Sequence, residues 1–178
     1  MRLGNRSVQA YDADELIWRY MFDGPFKDPN ELIASLQPQI NAFNGCCLCV
    51  FDIATGKQIG VANLMNNVPT DLKIELGGIW YSPIVQKTSA NTEATYLMLK
   101  HCFEIGYRRI EWKCHSLNER SRRAALRMGF KFEGIQENHM IVKNCNRDTA
   151  WFRMLDGEWH ERQKNLELRL YSNSFQVN

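Results

Sequence analysis

No stretch of these 178 residues is apolar for long enough to span a bilayer, and no secretory leader is recognisable, so neither a membrane protein nor a secreted one is expected. Charge of one sign is also scarce. The formal net charge is +2, which by itself makes no case for a nucleic-acid partner. The six cysteines, Cys46, Cys47, Cys49, Cys102, Cys114 and Cys145, form no metal-ligand set with histidine spacing. Three of them fall in a strand-like apolar run, where cysteine acts as a small hydrophobe. The four histidines are scattered. No metal is expected, and free thiols point to a reducing, cytoplasmic location.

The apolar share, 44%, is ordinary for a folded protein, and the length suits one domain, 1–178, with a sizeable core. Residues 1–10 and 171–178 are expected to be poorly ordered. Asp12-x-x-Glu15 and Asp28-Pro29-x-Glu31 read as helix starts, giving helices near 13–21 and 29–42. Strands are expected at 46–53 and 57–66, joined by the Thr55-Gly56 turn, and at 72–81. A helix at 92–105 ends at Gly106, a strand follows over 107–114, and a helix near 119–128 ends at Gly129. Strands near 130–136 and 138–144, a turn over 144–148, a strand at 149–155 and a helix from Asp156 to about 170 complete the chain. Meander, crossover and terminal hairpin together imply an α+β fold, a mixed sheet with helices on its faces.

One stretch carries the most chemistry. Gln86-Lys87-Thr88-Ser89-Ala90-Asn91-Thr92-Glu93-Ala94 follows Ser82-Pro83 and opens a helix. Backbone N–H groups and the helix dipole at such a junction favour an anion, most often a phosphate. Downstream stand Asn118-x-x-Ser121 and Gly129-Phe130, and upstream Ile74-Glu75-Leu76-Gly77. These five elements, in this order, resemble the acyl-CoA site of the GNAT superfamily of N-acetyltransferases. Over residues 45–160 the resemblance is nearest to the ribosomal-protein-alanine acetyltransferase branch. Ser89 and Asn91 replace that family's glycine and glycine/alanine, and a β-carbon at 89 restricts the backbone angles. The superfamily's common catalytic tyrosine is absent, with Ala125 in its place, as in this branch generally. The first strand of the GNAT fold is either missing or supplied by residues 2–9.

The resemblance implies the GNAT fold, a mostly antiparallel central sheet with helices on both faces. It implies acetyl-CoA as co-substrate, bound by Gln86, Lys87, Thr88, Ser89, Ala90, Asn91 and Thr92 through their amides, with charge from Lys87. Asn118 would hold the pantetheine arm, though an asparagine there can equally cap a helix. Ile79, Trp80 and Tyr81 would offer a backbone N–H to the thioester carbonyl. Ser121 would protonate the departing thiolate; a plain surface serine is the competing reading. Glu75 would serve as general base, through a water, if its strand buries it; alternation leaves a solvated glutamate equally open. Trp18, Tyr20, Phe22, Phe26, Trp80 and Tyr81 belong to the core or the acceptor cleft. His115 could reach the site or stay on the surface.

The function so implied is transfer of an acetyl group from acetyl-CoA to a primary amine, on a protein N-terminus or a small molecule, by direct attack in a ternary complex. The alternatives are a non-catalytic acyl-CoA-binding or regulatory module, and an RNA- or ribosome-associated protein. The last would use the basic residues Arg108, Arg109, Lys113, Arg120, Arg122, Arg123, Arg127 and Lys131, although a solvated helix face explains such a run as well. Nucleic acid and membrane are not expected as partners, and the oligomeric state is read as monomer or homodimer.

Overall fold

Asp28 opens the first long helix as its sequence implies. Its Oδ1 accepts from Asn30 N at 2.7 Å and Glu31 N at 3.1 Å, while Glu31 Oε2 reaches back to Lys27 N at 2.8 Å. The structure, a computed structural model, describes residues 15–172. The proposed cap at Asp12, a strand over 2–9 and the order of residues 1–10 lie outside that range, as do residues 173–178.

The described elements run α1 (Glu15–Trp18), α2 (Pro29–Ile40), β1 (Cys46–Asp52), β2 (Lys57–Val68), β3 (Lys73–Tyr81), α3 (Ala90–Glu104), β4 (Arg109–His115), α4 (Glu119–Arg127), β5 (Lys131–Val142), β6 (Cys145–Leu155) and α5 (Asp156–Tyr171). Six strands form one sheet in the order β1-β2-β3-β4-β6-β5. Every neighbouring pair is antiparallel except β3–β4, which α3 joins as a crossover. On one face α3, α4 and α5 bury Ile74, Leu76, Leu99, Ile110, Trp112, Met128, Phe152 and Met154. On the other, α1 and α2 bury Trp18, Leu32, Leu36, Val61 and Trp80.

Helices α3 and α4 stop in the same way. Gly106 (φ +96°) and Gly129 (φ +95°) take the left-handed conformation, and Tyr107 N and Phe130 N reach back to Cys102 O and Ala125 O. Residue 171 is not frayed: α5 runs through Tyr171, whose hydroxyl donates to Glu93 Oε1 at 3.1 Å.

Four expectations are corrected. Among the described residues helix α1 covers Glu15–Trp18, and the chain leaves it at Trp18 rather than continuing to 21. The strands expected over 130–136 and 138–144 are one strand, β5, with register irregularities between Phe132 and Gly134 and between Gln136 and Met140, where Asn138 has φ +49°. The turn expected over 144–148 is a two-residue reversal, Lys143-Asn144, with φ of +51° and +61°, so β6 begins at Cys145. Asparagine tolerates that conformation, and paired positive φ angles match the twist of a tight hairpin. Asp156, expected to cap α5, is instead its first residue.

The basic run of 108–131 does not form one face. Arg109 pairs with Glu111 and Glu133, Lys113 with Glu75, Arg123 with Glu119 and Lys131 with Glu158. Cys46 and Cys49, three apart on an extended strand, point to opposite faces of the sheet. All six thiols are free. Among the described residues no helix is long and apolar enough to cross a membrane.

Candidate active site

Strands β3 and β4 pair over only three residues each, Lys73–Glu75 against Arg109–Glu111, and then part. Their outer edges stay paired, β3 to β2 as far as Gly60↔Tyr81 and β4 to β6 as far as His115↔Thr149. The sheet therefore opens in its middle into a cleft walled by Leu76–Tyr81 and Trp112–His115. Because the two strands are parallel, both carboxyl ends lie at the open end. That is the position where sheets of this kind take ligands.

A bulge in β3 accompanies the parting. Asn63 faces Gly77 but Val61 faces Trp80, so β3 carries an extra residue there, at Gly78 (φ +58°). Beyond it Ser82 N donates to Ile59 O at 2.8 Å. Alternation then turns the Trp80 N–H toward β2 and the N–H groups of Ile79 and Tyr81 toward the cleft. Of the three residues expected to meet a thioester carbonyl, the backbone of two faces the opening. Trp80 instead buries its indole against Trp18.

The loop from Gln86 to Thr92 sits over the mouth of the cleft. Gln86 N donates to Pro83 O, Thr88 N to Val85 O, Ala90 N to Thr88 Oγ1 and Glu93 N to Ser89 O. Among the described residues the N–H groups of Lys87, Ser89, Asn91 and Thr92 have no acceptor. Four unpaired donors at the start of a 15-residue helix make an anion cradle. Helix α3 starts at Ala90, two residues earlier than expected, so Asn91 and Thr92 lie in its first turn rather than capping it. The left-handed residue of the loop is Lys87 (φ +65°), whereas Ser89 has φ −73° and ψ −14°. The β-carbon of Ser89 is thus conformationally harmless, which removes the restriction inferred for that position.

On the opposite lip, Asn118 caps α4, its Oδ1 accepting from Ser121 N at 3.1 Å. Its Nδ2 has no partner among the described residues. Ser121 is half-buried beneath β4. Its Oγ accepts from Trp112 Nε1 at 3.0 Å, and its hydroxyl also lies against the Cys114 thiol.

Glu75 is buried, 3% exposed, which settles the alternation question against a solvated side chain. Its Oε2 accepts from Lys113 Nζ at 2.8 Å and from Asn66 Nδ2 at 2.7 Å. Lys113 lies in turn over the Trp151 ring, 4.9 Å from its centroid. Trp112 and Cys114 point into the core beside α4, so Lys113 and Glu75 occupy the other face of the sheet. Ser121 and Glu75, the two expected catalytic groups, flank the cleft from opposite faces. The sequence alone did not give the partnership of Glu75 with Lys113 and Asn66. The signal was present in Glu111-Trp112-Lys113-Cys114, an alternation that leaves one charged face on a central strand.

Next to this pair, Tyr20 packs edge-on against His115 with ring centroids 5.2 Å apart, and Arg147 donates from Nη1 to Tyr20 O at 3.3 Å. His115 Nδ1 accepts from Leu117 N at 3.1 Å. Burial, then the Arg147 charge, lower the His115 pKa below its ordinary value, with Asp148 partly opposing. Burial pushes the Tyr81 phenol above its usual range, and its hydroxyl has no partner among the described residues.

Residues 3–131 match the family model described as acetyltransferase (GNAT) domain. A GCN5-related N-acetyltransferase from Brucella melitensis is 38% identical with a TM-score of 0.84, over 89% of this chain and 73% of that one. A probable acetyltransferase of the GNAT family from Chromobacterium violaceum is 38% identical with a TM-score of 0.82, over 85% and 77%. Mycobacterium smegmatis RimJ, solved with CoA-disulfide, is 18% identical with a TM-score of 0.66 over 79% and 66%, a likeness of fold alone. No curated protein matches.

Proposed function

The chain belongs to the acetyltransferase (GNAT) domain family and is an acetyltransferase; from that premise we propose that it transfers the acetyl group of acetyl-CoA directly to a primary amine, on a protein N-terminus or a small molecule. The observation that carries this reading is the cleft between β3 and β4, with unpaired donors at both lips and a carboxylate and a hydroxyl on its two sides. Its motifs resemble most nearly the ribosomal-protein-alanine acetyltransferase branch, and the CoA-disulfide held by RimJ supports the same kind of ligand for this fold.

Acetyl-CoA would supply an acyl group activated as a thioester. The residues fit such a molecule. The amides of Lys87, Ser89, Asn91 and Thr92 would hold its pyrophosphate, assisted by the Lys87 charge, with Gln86, Thr88 and Ala90 shaping the turn. Asn118, its Oδ1 committed to the cap, would donate from Nδ2 to the pantetheine arm. The N–H groups of Ile79 and Tyr81 would meet the carbonyl oxygen as it gains negative charge. The amine nitrogen forms a bond to the acyl carbon, and the carbon–sulfur bond breaks. Glu75, through a water, takes the proton the amine loses, and Ser121 gives one to the thiolate. A sheet open through its middle lets the two proton transfers proceed on opposite faces, so neither group needs to move.

Thermal unfolding with and without acetyl-CoA, run beside a thiol-release assay on a panel of amines and of Ala- or Ser-starting peptides, tests this. A ligand at a hundred times its Kd stabilises by about 2.7 kcal/mol, and release of thiol should follow an accepted amine. Stabilisation without release on any amine would favour a binding module instead. No stabilisation would remove the cleft from the reading.

A further inference from the structure

Most of the charge on the Glu75 face is neutralised in pairs. Arg109 is held by Glu111 and Glu133, Arg153 by Glu158, and Lys113 by Glu75. Arg147 is the exception. It is 5% exposed, yet no carboxylate pairs with it among the described residues. Its contacts are the Nη1 donation to Tyr20 O and the Phe22 ring, 4.6 Å from the guanidinium carbon. Its Nε is buried with no partner among the described residues. A buried guanidinium is costly unless paired, and one left unpaired beside a reaction cleft awaits an anion.

We propose that Arg147 binds a carboxylate carried by the acceptor amine. The inference rests on the acetyl-transfer reading of the cleft and names the acceptor class for it. Arg147, Thr149 and Trp151 alternate onto the face that carries Lys113 and Glu75. The Arg147 charge is felt at His115 and Cys114, and Arg147 in turn feels the Glu75 carboxylate, so its head lies among these three residues of the cleft wall. The neighbouring charges do not cancel it. Among the described residues Glu75 is paired with Lys113, and Asp148 turns its Oδ1 to Asn138 N and makes no ion pair with Arg147. With Nη1 bound to a backbone carbonyl and one ring face on Phe22, the Nε–Nη2 edge remains. Two parallel N–H groups on that edge match a carboxylate. Arg147 is 5% exposed, so the acceptor reaches this edge from within the cleft.

The carboxylate could be the α-carboxylate of an amino acid or an acidic side chain near a peptide N-terminus. The experiment separates the two. Thiol release from acetyl-CoA is measured for amino acids against their carboxamides, and for Ala- or Ser-starting peptides with Asp or Glu at the second position against Asn or Gln. Wild type should favour the carboxylate member of one set by at least about tenfold in kcat/KM, about the discrimination expected for one charged hydrogen-bonded contact. Arg147→Gln should erase that ratio through KM, and Arg147→Lys should keep part of it. Equal rates within both sets, or no turnover in either although acetyl-CoA binds, overturns the proposal. So does a preference that survives Arg147→Gln; a lower melting temperature with an unchanged ratio assigns Arg147 to holding the Tyr20–Phe22 segment only. Calorimetry with acetyl-CoA should give the same affinity for Arg147→Gln as for wild type. If wild type binds no acetyl-CoA, the acetyl-transfer reading fails by itself. Calorimetry of an amino acid against its carboxamide on the free protein then still decides the role of Arg147.

Discussion

Lys113 Nζ lies 2.8 Å from Glu75 Oε2 at the point where β3 and β4 separate. Asn66 occupies the same oxygen, so Oε1 is the one left for other work. Oε1 lies against the second open residue of β3: a β-carbon on Gly77 would come within 2.9 Å of it. The missing side chain at 77 leaves room beside that oxygen, while the ion pair fixes the carboxylate.

Glu75→Gln tests both roles. It should lower kcat by on the order of 10²-fold or more while leaving acetyl-CoA affinity intact, as expected for loss of a general base. It should also lower stability by roughly 1–3 kcal/mol, because the largely covered Lys113 loses its partner. Adding Lys113→Met should restore much of the melting temperature and none of the activity. Wild-type kcat in Glu75→Gln would remove Glu75 from the chemistry and leave it a purely structural partner of Lys113.

The phosphate loop makes a second prediction, and its sign depends on which residue is left-handed. Since Ser89 has φ −73°, Ser89→Gly should gain nothing in acetyl-CoA affinity. Ser89→Asp should weaken binding by at least about tenfold, by setting a carboxylate against the pyrophosphate at the helix start. Lys87, at φ +65°, is the position where glycine relieves strain, so Lys87→Gly should stabilise the free protein by up to about 1 kcal/mol. Calorimetry and thermal unfolding of the three variants read this directly. Unchanged affinity in Ser89→Asp would remove the loop from the site.

Ser121 carries a third prediction. Ser121→Ala should lower kcat by about 10- to 10²-fold with little change in KM, the mark of a group that acts as the thiolate leaves. It also leaves the Trp112 indole N–H without its acceptor, at a cost of about 1–3 kcal/mol for a buried donor. Trp112→Phe separates the two effects, since it removes the donor and keeps the hydroxyl. If both variants lose the same activity, Ser121 positions Trp112 and does not handle a proton.

What local chemistry sets was readable from the sequence. The Asp28 cap, the glycine stops at 106 and 129, the β1–β2 hairpin and the strand–helix–strand crossover all depend on residues a few positions apart. The same holds for the loop over the cleft, whose donors are backbone groups. Misreadings arose where a local signal had two outcomes. Asn91 and Thr92 are good caps, but Thr88 Oγ1 caps the Ala90 amide and lets the helix begin sooner. Asn138 looked like the start of a second strand and sits in an irregularity within one, because β6 continues to pair on both sides of it. The partners of Glu75 were not readable, since Lys113 reaches it only through the parallel register that the α3 crossover sets. Arg147 showed no signal either: an arginine beside a turn looks solvated until the chain around Tyr20 folds over it.

Gly78 connects the backbone to the site. At φ +58° it holds the bulge that turns Ile79 and Tyr81 toward the cleft, and a β-carbon there would lie 2.3 Å from Asn63 Nδ2. Asn63 cannot easily yield. It is 2% exposed, and that Nδ2 is held by Gln39 Oε1 at 2.6 Å. Gly78→Ala should therefore cost about 1–3 kcal/mol, from the left-handed backbone and the clash together. It should also weaken acetyl-CoA binding, because relaxing the bulge re-aims the two cleft-facing N–H groups. Adding Asn63→Ala distinguishes the causes. If the clash dominates, the double variant recovers affinity; if the backbone angle dominates, it recovers none. Retention of both melting temperature and affinity by Gly78→Ala would mean that the bulge does not set the cleft, and that β3 parts from β4 for another reason.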